Sequence, residues 1–193
     1  MDLLLASKSP RRRELLQQIG VRFDVLAVHV PELRNEYEDP EQYVQRLATQ
    51  KARAGSVLRA DVPVLGADTI VVINEQVLEK PRDKDDAVAM LQKLSDTTHQ
   101  VYTAVALSHE HRHKTVLCRS DVTFRAIETA EAERYWLTGE PQDKAGGYGI
   151  QGFAAVFVAN LQGSYSNVVG LPLLQTQQLL AQFDVPVWNT NLS

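Results

Sequence analysis

A single cysteine, Cys118, stands in the 193 residues, so no intrachain disulfide is available and a structural zinc site lacks ligands. It lies in KTVLCRSDVTF, which reads as a strand, and its simplest role is to fill the core. No apolar run approaches the ~20 residues that span a bilayer. Asp2 and a very short apolar run that ends in a polar loop do not read as a signal peptide, and the cytoplasm is the expected compartment. Excess positive charge is also missing. The net charge is −4, which argues against a general binder of nucleic acid or membrane surfaces. Neither a basic stripe interleaved with aromatics nor a Walker A loop is present, and nothing suggests repeats or low complexity.

At 44% hydrophobic and 23% charged residues the chain has ordinary globular composition and can bury a substantial core. It is expected to form one domain over 1–193, with a tail frayed from about Pro186. LLLA at Leu3–Ala6 reads as a buried strand. Ser9-Pro10 reads as an N-cap followed by proline at the first helical position, and Leu15, Leu16 and Ile19 give the helix its apolar face. Asp39-Pro40 repeats that signal for a helix to about Arg53. Val62–Ala67 is expected to be a buried strand, with Thr69–Ile73 and Gln76–Leu78 as a hairpin around Asn74-Glu75. Asp83 caps a helix through Leu94. Val101–Leu107 and Thr115–Phe124 read as long strands. The turn between them carries His109, His111 and His113, for which metal binding is the alternative to a solvated turn. A short helix at Thr129–Leu137, a strand at Phe153–Asn160 and a helix at Pro172–Phe183 complete the reading. Alternation early and paired strands later predict a mixed α/β sheet with flanking helices.

The positive charge that is present gathers in one place, ASKSPRRRELL. Arg11, Arg12 and Arg13 fall in the first turn of a helix, where the dipole disfavours cations unless an anion compensates. With the hydroxyls of Ser7 and Ser9, this points to a phosphate site; the alternative is a surface helix with exposed arginines. In VLGADTIVV, Asp68 is expected just beyond a buried strand, a place for a catalytic or metal-binding carboxylate or for a turn aspartate. Lys80, before Pro81, could aim a cation at a phosphate or simply be solvated. In DKAGGYGIQG four glycines permit close approach to a ligand, and the amide of Gln151 could read a base edge.

Together, ASKSPRRRELL, KARA at Lys51–Ala54, GADT, LEKPRD, DKAGGYGIQG and VVGLPL resemble the Maf family of nucleoside triphosphate pyrophosphatases, in family order from Leu3 to about Phe183. Glu32, Lys51 and Lys144 become candidates only through this resemblance. It implies two lobes around a cleft in a fold similar to that of inosine triphosphatase, and a homodimer. It also implies cleavage of a nucleoside triphosphate to the monophosphate and pyrophosphate with a divalent metal, Mg2+ or Mn2+. A housecleaning role linked to septum formation is part of the same expectation. Arg11, Thr69 and Gln151 match the branch acting on dTTP and UTP, where the 7-methyl-GTP branch has Trp, Gln and Glu. Lys8 and Gly147 depart from the usual pattern without touching the expected chemistry.

The roles that follow are phosphate binding by Ser7, Ser9, Arg12, Lys51 and Lys80, catalysis by Asp68 and metal binding by Glu32 and Asp68. Selection of the base falls to Arg11, Thr69 and Gln151. Nearby cations are expected to lower the Asp68 pKa, which favours a metal ligand over a base. The competing readings are a purine or 7-methyl-GTP pyrophosphatase and a nonenzymatic regulator of cell division. Neither a nucleic acid nor a membrane is an expected partner.

Overall fold

The computed structural model describes residues 1–189. Seven strands form one mixed α/β sheet in the order β2–β1–β3–β5–β6–β7, with β4 on β3. β1 (Leu3–Leu5) is buried throughout, as its uniform leucines require, and pairs parallel with both β2 (Phe23–Val25) and β3 (Val64–Ile73). β3 turns antiparallel into β4 (Gln76–Leu78) through Asn74 and Glu75, both at positive φ. β5 (Thr98–His109) and β6 (Arg112–Phe124) flank a tight turn at Glu110-His111, so of the three histidines only His111 lies in the turn, while His109 ends β5 and His113 belongs to β6. β7 (Val158–Gln162) pairs antiparallel with β6.

Three helices begin where their caps predict. α1 (Pro10–Gln18) has Ser9 as N-cap and buries Leu15 and Leu16. α2 (Pro40–Leu58) starts with a capping box, Asp39 with Gln42, and buries Tyr43, Val44, Leu47, Ala48 and Ala52 at helical spacing. In α3 (Lys84–Leu94) Asp83 accepts from the Asp86 N–H. α4 (Thr129–Trp136), α5 (Tyr165–Val169) and α6 (Leu173–Ala181) follow.

The chain divides into two compact units. One comprises Met1–Asp68, Thr103–Cys118 and the described residues from Gly170 on; the other comprises Thr69–Tyr102 and Arg119–Val169. The first packs Leu4, Ala6 and Val64 with Leu26, Val28 and Val62. The second packs the rings of His99, Phe124, Tyr148, Phe157 and Tyr135.

Several expectations need correction. β3 is one ten-residue strand, so Asp68 lies inside it and not beyond its end. Gly66 lies within this strand, packed closely against α2. The apolar run from Phe153 is not a strand at first: residues 153–157 form a 3₁₀ turn that buries Ala154 and Phe157, and pairing begins at Val158. A short apolar run does not declare its own period. Helix α5 has no signal strong enough to be expected. The tail is tied down as far as it is described: Val185 is buried, and the Trp188 and Asn189 N–H groups donate to the carbonyls of Ile19 (2.8 Å) and Gly20 (3.0 Å). The rest of the expected frayed tail, 190–193, lies outside the described residues.

Candidate active site

The start of α1 is built as a cradle. Ser9 caps the helix, accepting from the Arg12 N–H at 3.5 Å. The Ser7 hydroxyl oxygen accepts from the Ser9 N–H and from Arg12 Nη1, each at 3.2 Å. A hydroxyl with its acceptor sites engaged keeps its own hydrogen to donate, which suits a phosphate oxygen. Arg12 is 9% exposed, and its Nε donates to the Gly170 carbonyl at 2.9 Å. Burial lowers its pKa, while Asp68 and Glu32 pull it back up. Arg11 is half-buried in the same turn, and Arg13 is exposed. The first turn contains no acid to compensate this charge. Three adjacent arginines thus have three environments.

Beside them is an acid–base–acid cluster. Lys51 projects from α2 and its Nζ lies 2.7 Å from Asp68 Oδ1 and 2.6 Å from Glu32 Oε1. α2 reaches β3 this closely because of Gly66: a Cβ there would stand 2.5 Å from both the Ala48 carbonyl oxygen and the Ala52 nitrogen. Asp68 and Lys51 are largely buried, whereas the Glu32 side chain is 45% exposed. Burial raises the Asp68 pKa above the usual aspartate value; Lys51 and Arg12 oppose that shift without cancelling it. This overturns the expectation of a lowered pKa. Desolvation of a carboxylate inside a buried strand outweighs the attraction of its neighbours, and Asp68 becomes a better proton acceptor.

Among the described residues no group of three or more His, Cys, Asp or Glu side chains is arranged to hold a metal. Glu32 and Asp68 nevertheless converge on one cation, the Lys51 ammonium. Two carboxylates are the usual protein share of a hard divalent ion that also binds water and substrate phosphates, so this donor set fits such an ion.

The remaining candidates belong to the second unit. Thr69 follows Asp68 on β3 and is half-buried; Lys80 is exposed just past β4. Gln151 is exposed in a turn closed by the Gly152 N–H to the Gly149 carbonyl at 3.0 Å. Lys144 is held locally, donating to the Glu140 carbonyl and Asp143 Oδ1, both at 2.7 Å.

Sequence reasoning missed the residues that place Glu32. The buried Tyr43 donates its hydroxyl to the Glu32 carbonyl at 3.1 Å. Arg46, one helical turn on, donates to the Leu33 carbonyl at 2.8 Å and pairs with Glu38. The Arg46 hydrogen bond holds the Glu38 carboxyl below the usual range despite partial burial. The inward Tyr43 signals a core position; nothing in the sequence shows that its hydroxyl tethers a loop.

Residues 2–183 match the family model described as "Maf-like protein". A protein of Saccharophagus degradans named dTTP/UTP pyrophosphatase is 62% identical over 191 residues, covering 97% of this chain and 91% of its own. One of the same name from Escherichia coli O157:H7 is 53% identical over 184 residues, covering 95% and 93%. Among solved structures, the Ham1 protein of Staphylococcus aureus matches 64% of this chain and 72% of its own. Its identity is 11% and its TM-score 0.44, too slight a likeness to build on.

Proposed function

The chain belongs to the Maf family, and on that footing we propose that it hydrolyses dTTP and UTP to the monophosphate and pyrophosphate. The observation that carries the reading is the cluster of Asp68, Lys51 and Glu32 beside the Ser7–Arg12 cradle. Full-length similarity to proteins named for that activity supports the choice of substrate. A triphosphate carries about four negative charges, and hydrolysis needs them balanced while a water is aimed at one phosphorus.

In this reading Ser7, Ser9, Arg12 and the α1 N–H groups hold phosphate oxygens, and Lys51 and Lys80 are further phosphate-binding cations. Asp68, kept basic by burial, accepts the proton of the attacking water. Glu32 and Asp68 would hold a divalent ion, Mg2+ or Mn2+, which supplies Lewis-acid stabilisation of phosphate charge when bound. Lys51 keeps the two carboxylates together and neutralised before substrate arrives. Arg11, Thr69 and Gln151 select the base. The working form is a homodimer of this single-domain chain, acting in the cytoplasm. Among the described residues no helix is long and apolar enough to cross a membrane.

The test is an assay of purified protein with a panel of nucleoside triphosphates and either metal, resolving pyrophosphate from phosphate. The expected products from dTTP and UTP are the monophosphate and pyrophosphate. Asp68→Asn should lose turnover by about 10²-fold or more, as expected for removal of a general base, while still binding nucleotide. Turnover near the parent rate would remove Asp68 from the chemistry; release of phosphate would place the cleavage at another bond.

A further inference from the structure

Gln151 sits in a four-residue turn, Gly149–Gly152, and both ends of that turn are gripped by one pair of side chains. At its start, the Gly149 N–H donates to the Tyr135 hydroxyl oxygen at 3.2 Å. Just past its end, the Phe153 N–H donates to Glu140 Oε2 at 2.9 Å and the Ala154 N–H to Oε1 at 3.3 Å. The two side chains are joined, since the Tyr135 hydroxyl donates to Glu140 Oε1 at 2.6 Å. Gly152 makes the approach possible: a Cβ there would fall 1.9 Å from Glu140 Oε2.

This network does more than cap the start of the 3₁₀ turn at 153–157. Charge-assisted hydrogen bonds to backbone N–H groups are short and directional. Burial opposes ionisation of Glu140, but the Tyr135 hydroxyl, the Phe153 and Ala154 N–H groups and Lys144 outweigh it and hold the carboxyl below its usual range. Burial and the Glu140 charge push the Tyr135 hydroxyl up, so it stays protonated and keeps donating. Uracil and thymine present an N3–H donor beside an O4 acceptor, and cytosine presents the reverse pair. An amide tells them apart only if its backbone cannot swivel.

We propose that Glu140, aligned by Tyr135, is a positioning residue for base selection, fixing the turn that presents Gln151; this rests on the reading of Gln151 as a selector. Glu140 and Tyr135 touch no reacting atom. Their contribution is to discrimination and KM, through Gln151.

The test uses steady-state kinetics of the full chain with dTTP, UTP and CTP, with thermal midpoints measured in parallel. The variants are Gln151→Ala, Glu140→Gln, Tyr135→Phe and each of the latter two combined with Gln151→Ala. Gln151→Ala should reduce the preference for dTTP over CTP. Glu140→Gln should reduce it by about tenfold, the size of one charge-assisted bond, raising KM more than it lowers kcat. Tyr135→Phe, which removes one hydroxyl, should act in the same direction. In the Gln151→Ala background neither should change the preference by more than about twofold, because they act through the same side chain. If Gln151→Ala alters preference while Glu140→Gln and Tyr135→Phe do not, the positioning role is wrong. An equal effect of Glu140→Gln with and without Gln151 also overturns it, since that describes general disruption. If Gln151→Ala leaves preference unchanged, the selector reading itself falls and the proposal falls with it.

Discussion

At the scale of residues, Arg11, Arg12 and Arg13 are the same side chain three times in succession, and only their surroundings separate them. Arg12 is buried and bonded to Ser7 and to the Gly170 carbonyl. Arg12→Ala should raise KM for dTTP at least tenfold, from the loss of charged hydrogen bonds of about 1.5–3 kcal/mol, and should lower stability as well. Arg11→Ala should alter preference among bases. Arg13→Ala, at an exposed position, should stay within about twofold of the parent. Initial rates over a substrate panel decide the matter; equal damage from Arg13→Ala and Arg12→Ala would contradict these assignments. The clustering of arginines in the first turn of α1 was legible in the sequence, where cations conflict with the helix dipole. Which arginine is buried was not, because the Arg12 acceptor at Gly170 lies 158 residues away.

At the scale of elements, the contact between α2 and β3 sets the site. Lys51 meets Asp68 only because Gly66 lets the helix backbone come close. Gly66→Ala would place a methyl group against backbone atoms, which cannot turn aside as a side chain can. It should cost about 1–3 kcal/mol in denaturant unfolding, as overpacking does, and lower kcat/KM by separating Lys51 from Asp68. A variant of unchanged stability and activity would show that the contact has slack. The helix starts were readable from Ser9-Pro10, Asp39-Pro40 and Asp83, since capping is chemistry between near neighbours. The extent of β3 was not. A charged residue after an apolar run resembles a strand end in sequence, and only the pairing and burial of Val64–Ile73 show that β3 runs through Asp68.

At the scale of the whole molecule, pH should act on stability through a residue remote in sequence from the catalytic candidates. His99 is completely buried, its Nε2 is 2.8 Å from the Tyr148 hydroxyl and its Nδ1 has no hydrogen-bond partner. Burial lowers its pKa to about 4. The unfolded chain takes up that proton near pH 6.5 and the folded chain does not, so stability falls as pH drops from about 6.5 towards 4. Between pH 7 and 5 the loss from this residue should be about 2 kcal/mol, read from urea midpoints at the two values. His99→Phe should flatten that slope whatever it does to stability at pH 7; an unchanged slope would assign the effect elsewhere. By itself the sequence determined the starts of α1, α2 and α3, the buried β1, the mixed α/β class, the arginine-rich first turn and the family, because caps, periodicity and motifs are properties of near neighbours. Only the tertiary structure decided that Lys51 stands between Glu32 and Asp68, that Tyr135 and Glu140 grip the Gln151 turn, and that Asp68 is raised and not lowered in pKa. Burial and charge balance are sums over segments far apart in the chain, and no local pattern contains them.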